Sequence, residues 1–166
     1  MSATINIVKI TGESPGVETV VSGISLMSLD NANNSVLTRV QGPIDIPSSG
    51  MSYSYESWIK FRCSGAPSNL CDQFKVWGPS SQPGTGVTVY MKSAAAYETP
   101  SIPSSMTGWS RQDENYYSQE TALTLSGNLS SVGDSTDYLV LCVQVAPGAD
   151  IGSMEEIDFN YSWREQ

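Results

Sequence analysis

The chain has no histidine. That absence removes the Ser-His-Asp and Cys-His arrangements of nucleophilic catalysis, and histidine-based metal catalysis with them. It has no GxxxxGK[ST] run and no GxGxxG run, so no loop is marked for cradling phosphate. It has no DxDxDG calcium loop, and the carboxylates of GDSTD (Gly133 to Asp137) and EEID read as solvated turns. No stretch approaches the ~18 apolar residues of a membrane-spanning helix. The opening residues, MSATINIVKITGE, hold one lysine and no apolar run of the kind a secretory signal needs, so synthesis in a cytoplasm is the expectation.

Charge is scarce too. Only 15% of residues are charged, while hydrophobic content is an ordinary 39%. Ser, Thr, Asn and Gly take the place of the missing charge. That disfavours long surface helices, which draw on Glu, Lys, Arg and Ala, and suits strands joined by many turns. The net charge of -9 is uneven. Residues 1–92 balance six acids with six bases, whereas residues 93–166 set eleven acids against Arg111 and Arg164 alone. Such a surface does not fit a phosphate backbone or an anionic membrane, so neither nucleic acid nor membrane is expected as a partner.

The three cysteines are an odd number in a chain without an evident secretion signal. Cys63 and Cys71 stand in a C-x7-C spacing, wider than that of zinc sites, and Cys142 is far away in sequence. Reduced, partly buried thiols are expected, with no metal and no cofactor. An enzyme built on carboxylates alone, as glycosidases are, has Glu56, Glu114, Glu120 and Asp158 to draw on. Any acidic chain offers such pairs, so no catalytic residue is assigned.

What is present is strand periodicity. TINIVKI, GISLMSL and SVLTRVQG read as short strands. YSYESWIKFRC alternates, with Tyr53, Tyr55, Ile59, Phe61 and Cys63 on one face and Ser54, Glu56, Trp58, Lys60 and Arg62 on the other. SGAPSNL is turn material, and QFKVWG returns with Phe74 and Val76 facing in, so the two runs are expected to form a β-hairpin. VTVYMK and TALTLSGNL follow. DYLVLCVQVA is apolar on both faces and reads as a central strand. The closing segment EEIDFNYSWREQ puts Ile157, Phe159, Tyr161 and Trp163 on one side. No helix is expected. These runs predict one all-β domain over residues 1–166: a β-sandwich, jelly-roll-like, of eight or nine antiparallel strands.

The segment from Ala94 to Glu120 has no sustained period. A structureless stretch of this length is uncommon in a compact domain and points to a contact role. Its Trp109, Tyr116 and Tyr117, with Trp58 and Trp77 on the less apolar faces of their strands, are the candidate interface residues. Aromatic rings of this kind serve subunit contacts, or a sugar-stacking platform as in carbohydrate-binding modules.

The runs YESWIKFRCSG and FKVWGPSSQPGTGVTVYMK, followed by AYETPS, resemble small structural proteins encoded among tailed-bacteriophage genes. The matching positions are Tyr55, Glu56, Trp58, Ile59 and Gly65, then Phe74, Lys75 and Trp77, then Gly86 and Val87. The terminal FNYSWREQ fits loosely. The likeness covers about half the chain and consists of strand patterns. It implies a non-enzymatic virion component, made in the host cytoplasm: a capsid decoration protein or a head–tail-associated sandwich. Its partners would be the major capsid protein or other virion proteins, with homo-oligomeric contacts in the particle. The alternative is a carbohydrate-binding sandwich for host recognition.

Overall fold

The computed structural model describes residues 2–23, 29–30, 35–36, 44–150 and 157–166. Residues 24–28 of the expected GISLMSL strand and 37–42 of SVLTRVQG lie outside the described residues. The chain is all-β and sandwich-like, as the periodicity predicts. Twelve strands occur among the described residues: β1 Thr4–Thr11, β2 Val17–Val20, β3 Leu29–Asp30, β4 Ser35–Val36, β5 Ser52–Tyr53, β6 Ser57–Gly65, β7 Cys71–Trp77, β8 Val87–Ala94, β9 Ser110–Arg111, β10 Leu123–Leu125, β11 Tyr138–Val145 and β12 Asn160–Glu165. The excess over eight or nine comes from short pieces of two to four residues. One four-residue helical turn, α1 Gln112–Asn115, interrupts the aperiodic segment.

The larger sheet runs β2-β1-β6-β11-β8-β9, with β5 continuing the line of β6 beside β11. The smaller runs β10-β7-β12, and β3 pairs with β4 alone. The doubly apolar run is indeed interior: β11 lies between β6 and β8. Ile59, Phe61, Met91, Leu139 and Leu141 from the larger sheet meet Phe74, Val76, Leu123 and Leu125 from the smaller one in the main core. Val87, Val89, Val143 and Val145 extend it toward Phe159. The expected inward positions of β7, β8, β10 and β11 are therefore met.

The expected β-hairpin is not formed. β6 pairs with β1 and β11, whereas β7 pairs with β10 and β12, so residues 66–70 carry the chain from one sheet to the other. The physical reason is the apolar inner face on each arm. A hairpin would set Phe61 and Phe74 side by side in one sheet. The arch sets them across the core, stacked at 5.8 Å between centroids. A second difference is one of register. β11 pairs Leu141 with Ser57 but Gln144 with Tyr53, one residue out of step. The irregularity at residues 54–56 moves Tyr53 to the face opposite Ile59, because strand faces alternate residue by residue. Ser54 fills the break, its hydroxyl accepting a hydrogen bond from the Val143 N–H at 2.9 Å.

Ion pairs brace the outer surfaces. Glu18 of β2 bridges Lys60 and Arg62 of β6. Asp72 of β7 takes a two-pronged contact from Arg164 of β12, at 2.8 and 2.6 Å. The Lys60 hydrogen bond holds the Glu18 carboxyl below its usual range, as the Arg164 hydrogen bond does for Asp72. The Ser130 and Ser131 N–H groups do the same for Asp134. Carboxyls depressed in the folded state stabilise it above their unfolded pKa, and that contribution is lost as pH falls through the folded values. The denaturant midpoint is therefore expected to hold above about pH 5 and to fall below about pH 4. Asp72→Asn is expected to flatten that acid limb, and an unchanged limb would contradict the assignment.

Candidate functional site

The inner face of the larger sheet packs on the smaller sheet, and its outer face divides in two. Over one half, residues 95–109 fold back onto the strands. Trp58, Val8, Ile10 and Val140 are buried there, with Tyr97, Trp109 and Tyr138 packed on them. Trp58 meets Tyr97 and Tyr138 edge-on at 5.3 and 5.7 Å. The Tyr97 hydroxyl donates to the Gly12 carbonyl at 2.6 Å, and burial pushes its pKa up to about 12.

Glu56 latches this cover. Its Oε1 pairs with Lys92 Nζ at 3.2 Å. Its Oε2 accepts from Trp58 Nε1 at 3.3 Å and from the Ser101 N–H at 3.4 Å, while its own N–H donates to the Ser101 carbonyl at 2.9 Å. The Lys92 ammonium also sits 4.1 Å from the centroid of the Trp109 ring. Acid, amine and indole thus tie β6, β8 and the covering segment together.

The expected interface residues are dispersed by this arrangement. Trp58 was expected on an exposed face, and it is only 1% exposed, a core residue. The charged neighbours Glu56, Lys60 and Arg62 gave that face a polar reading, which the covering segment overrides. Trp109 is half-buried against the same cluster and over Lys92. Tyr116 packs on the main core, and its carbonyl accepts from the Gly78 N–H at 3.0 Å. That bond brings Tyr116 close to Trp77, a half-buried residue of the smaller sheet. Tyr117 stays 44% exposed. The five rings do not make one platform. The aperiodic segment is explained instead by packing: residues 95–109 cover a sheet face, and Gln112 of α1 is fully buried, its amide donating to the carbonyls of Pro79 and Tyr116.

The carboxylates available for catalysis are also committed in part. Glu56 is latched as above, and Glu114 pairs with Arg111 at 2.8 Å. The Asp134 side chain of GDSTD accepts from the Ser130 and Ser131 N–H groups, each at 2.9 Å. Among the described residues, no group of three or more Cys, Asp or Glu is gathered as for a metal ion. No helix of the described residues is long and apolar enough to cross a membrane.

All three thiols are free and buried. Cys63 and Cys71 lie in the main core, and burial raises both thiol pKa values. Cys142 lies under the outer face beside the Ser54 hydroxyl, at 3.6 Å, and burial pushes its pKa up to about 11. Thiolate is the reactive form, so these thiols are shielded twice over. Dithionitrobenzoate is expected to label none of them in the native protein and all three after unfolding. Rapid native labelling would overturn this placement.

The other half of the outer face is half-exposed. Along β8 the inner Val87, Val89 and Met91 are buried, while Thr88, Tyr90 and Lys92 between them are half-exposed. Gln144 is the matching half-exposed position on β11. Its amide donates to the Tyr53 hydroxyl at 3.4 Å and accepts from the Tyr90 hydroxyl at 3.4 Å. Arg111 of β9 lies opposite Tyr90 and makes a two-pronged contact with Asp113, at 3.3 and 2.9 Å. This strip was missed in the sequence. Its one signal was Gln144, a polar residue in an otherwise apolar strand. Comparison of the chain with protein-family models, with curated proteins and with solved structures finds no match.

Proposed function

We propose that the protein is a non-enzymatic structural component of a tailed-phage particle. It binds the capsid lattice as a decoration protein or sits at the head–tail region, with the major capsid protein or another virion protein as its partner. Two supports are the strand-pattern resemblance and the sandwich fold. The observation that carries the reading is the edge strand β2. All four of its residues are exposed, Val17 at 59% and Val20 at 63%. Val21 donates its N–H to the Ile7 carbonyl, so by antiparallel alternation Glu18 and Val20 turn their backbone groups away from β1. Among the described residues no further strand pairs with β2. An edge with unpaired backbone groups and exposed valines is a template for a neighbouring chain.

The test is co-sedimentation with empty capsids of a tailed phage that carries the gene. Binding is expected to saturate at a fixed copy number per capsid and to weaken when Val17→Asp and Val20→Asp are combined. Failure to co-sediment, together with absence of the protein from purified virions by mass spectrometry, would sink the reading.

A further inference from the structure

We propose that the half-exposed strip on the outer face of the larger sheet, floored by Tyr53, Tyr90 and Gln144 and flanked by Arg111, is a binding site for a neutral oligosaccharide. The proposal is independent of the virion reading, since a particle protein and a protein free in solution can both carry it.

The chemistry of the floor argues for a hydroxyl-rich ligand. Tyrosine offers an apolar ring face and a polar edge on one rigid side chain. Tyr53 and Tyr90 are joined through Gln144, whose amide donates to one phenol and accepts from the other. The chain of three is long at each link, 3.4 Å, so each group retains hydrogen-bonding capacity for hydroxyls set above the rings. The strip is half-exposed while the alternate side chains of β8 and β11 are buried in the core, so Tyr90 and Gln144 are anchored on two neighbouring strands of regular sheet, and Tyr53 of the short β5 is paired with Gln144 beside them. Side chains on strands are held in fixed geometry more firmly than those on loops.

Charge selects a neutral sugar over an acidic one. The cations beside the strip are already matched: Lys92 by Glu56, and Arg111 by both Asp113 and Glu114. Two cations face three carboxylates, so a sulfated, phosphorylated or sialylated chain would meet net repulsion. A protein partner fits less well. The core of a protein interface is apolar, and among the described residues none of the strongly exposed apolar side chains belongs to this floor. Of the rings that the sequence suggested for sugar stacking, Trp58, Trp109 and Tyr116 are occupied in packing, whereas Tyr53 and Tyr90 are half-exposed and linked through Gln144.

The test is a nitrogen-15 NMR titration of the intact protein with maltohexaose, cellohexaose, chitohexaose and mannohexaose, each to millimolar concentration. At least one is expected to give saturable shifts centred on Tyr53, Tyr90, Gln144 and Arg111. Tyr90→Ala is expected to weaken that binding about tenfold or more, as loss of a central aromatic anchor does, while Trp77→Ala leaves it unchanged. The titration of the unsubstituted protein decides the matter even if Tyr90→Ala does not fold. No saturable shift with any of the four sugars, or shifts centred elsewhere, would overturn the proposal. So would binding that survives in folded Tyr90→Ala.

Discussion

Phe61→Ala is expected to lose about 3–5 kcal/mol of folding stability, as truncation of a buried phenylalanine does. The ring joins the two sheets at the arch. It stacks on Phe74 at 5.8 Å and meets Tyr161 at 5.4 Å, and Tyr161 in turn stacks on Trp163 at 5.9 Å. Phe74 closes the circuit by stacking on Trp163. Four rings from β6, β7 and β12 therefore share one contact network. Removing Phe61 strips two of its members of a neighbour and opens a cavity in a sandwich that cannot collapse without shearing one sheet past the other. Chemical denaturation checks the size of the loss. A double-mutant cycle with Phe74→Ala is expected to show coupling, because an aromatic pair contributes about 0.5–1.5 kcal/mol beyond its buried area. A Phe61→Ala protein with an unchanged midpoint would refute the placement of Phe61 between the sheets.

Period-two alternation carried most of the strand reading, because one face of most strands lies on a dry core and the pleat leaves no choice of side. Phe74 with Val76, the odd positions of VTVYMK and the interior place of DYLVLCVQVA were all legible on that ground. What was not legible depends on pairing at a distance. An arch and a hairpin have the same local sequence: two alternating runs and a short Gly/Pro/Asn turn. The choice between them lies with the partners, β1 and β11 for one arm and β10 and β12 for the other. A one-residue irregularity is equally silent. Nothing in Ser54–Tyr55–Glu56 announces that Tyr53 will fall on the opposite face from Ile59.

The same limit explains the interface residues. Trp58 shares its strand face with Glu56, Lys60 and Arg62, and charged neighbours mark a solvent face when a sheet has one. Here that face has its own cover. Glu56, Lys60 and Arg62 are matched by Lys92 and Glu18, so the charges are accommodated at its margin while Trp58 is buried among Val8, Ile10 and Val140. The segment from Ala94 to Glu120 lacks a period because most of it is irregular backbone, touching the sheet at scattered points: Tyr97, Ser101, Trp109. Its lack of pattern was correctly seen. Three of its rings, Tyr97, Trp109 and Tyr116, pack within the chain.

That cover depends on one acid, and Glu56→Ala is expected to cost about 2–4 kcal/mol. The substitution removes the acceptor for Trp58 Nε1 and for the Ser101 N–H, and the anion facing Lys92. The Trp58 indole N–H is then left buried without that acceptor, and the Lys92 ammonium keeps the Trp109 ring. Lys92 is itself about a third exposed, so water meets part of its loss, and the lower part of the range applies to the ion pair alone. Glu56→Gln separates the contributions: it keeps an acceptor for the indole and for Ser101 but removes the charge, so its loss should be the smaller of the two. The local signature is distinctive. Without the latch, residues 95–109 should become the first site of limited proteolysis, and the fluorescence of Trp58 and Trp109 should shift to longer wavelength before the sheets unfold. An Ala variant with parental stability and a parental cleavage pattern would show that the covering segment is held by its apolar contacts alone.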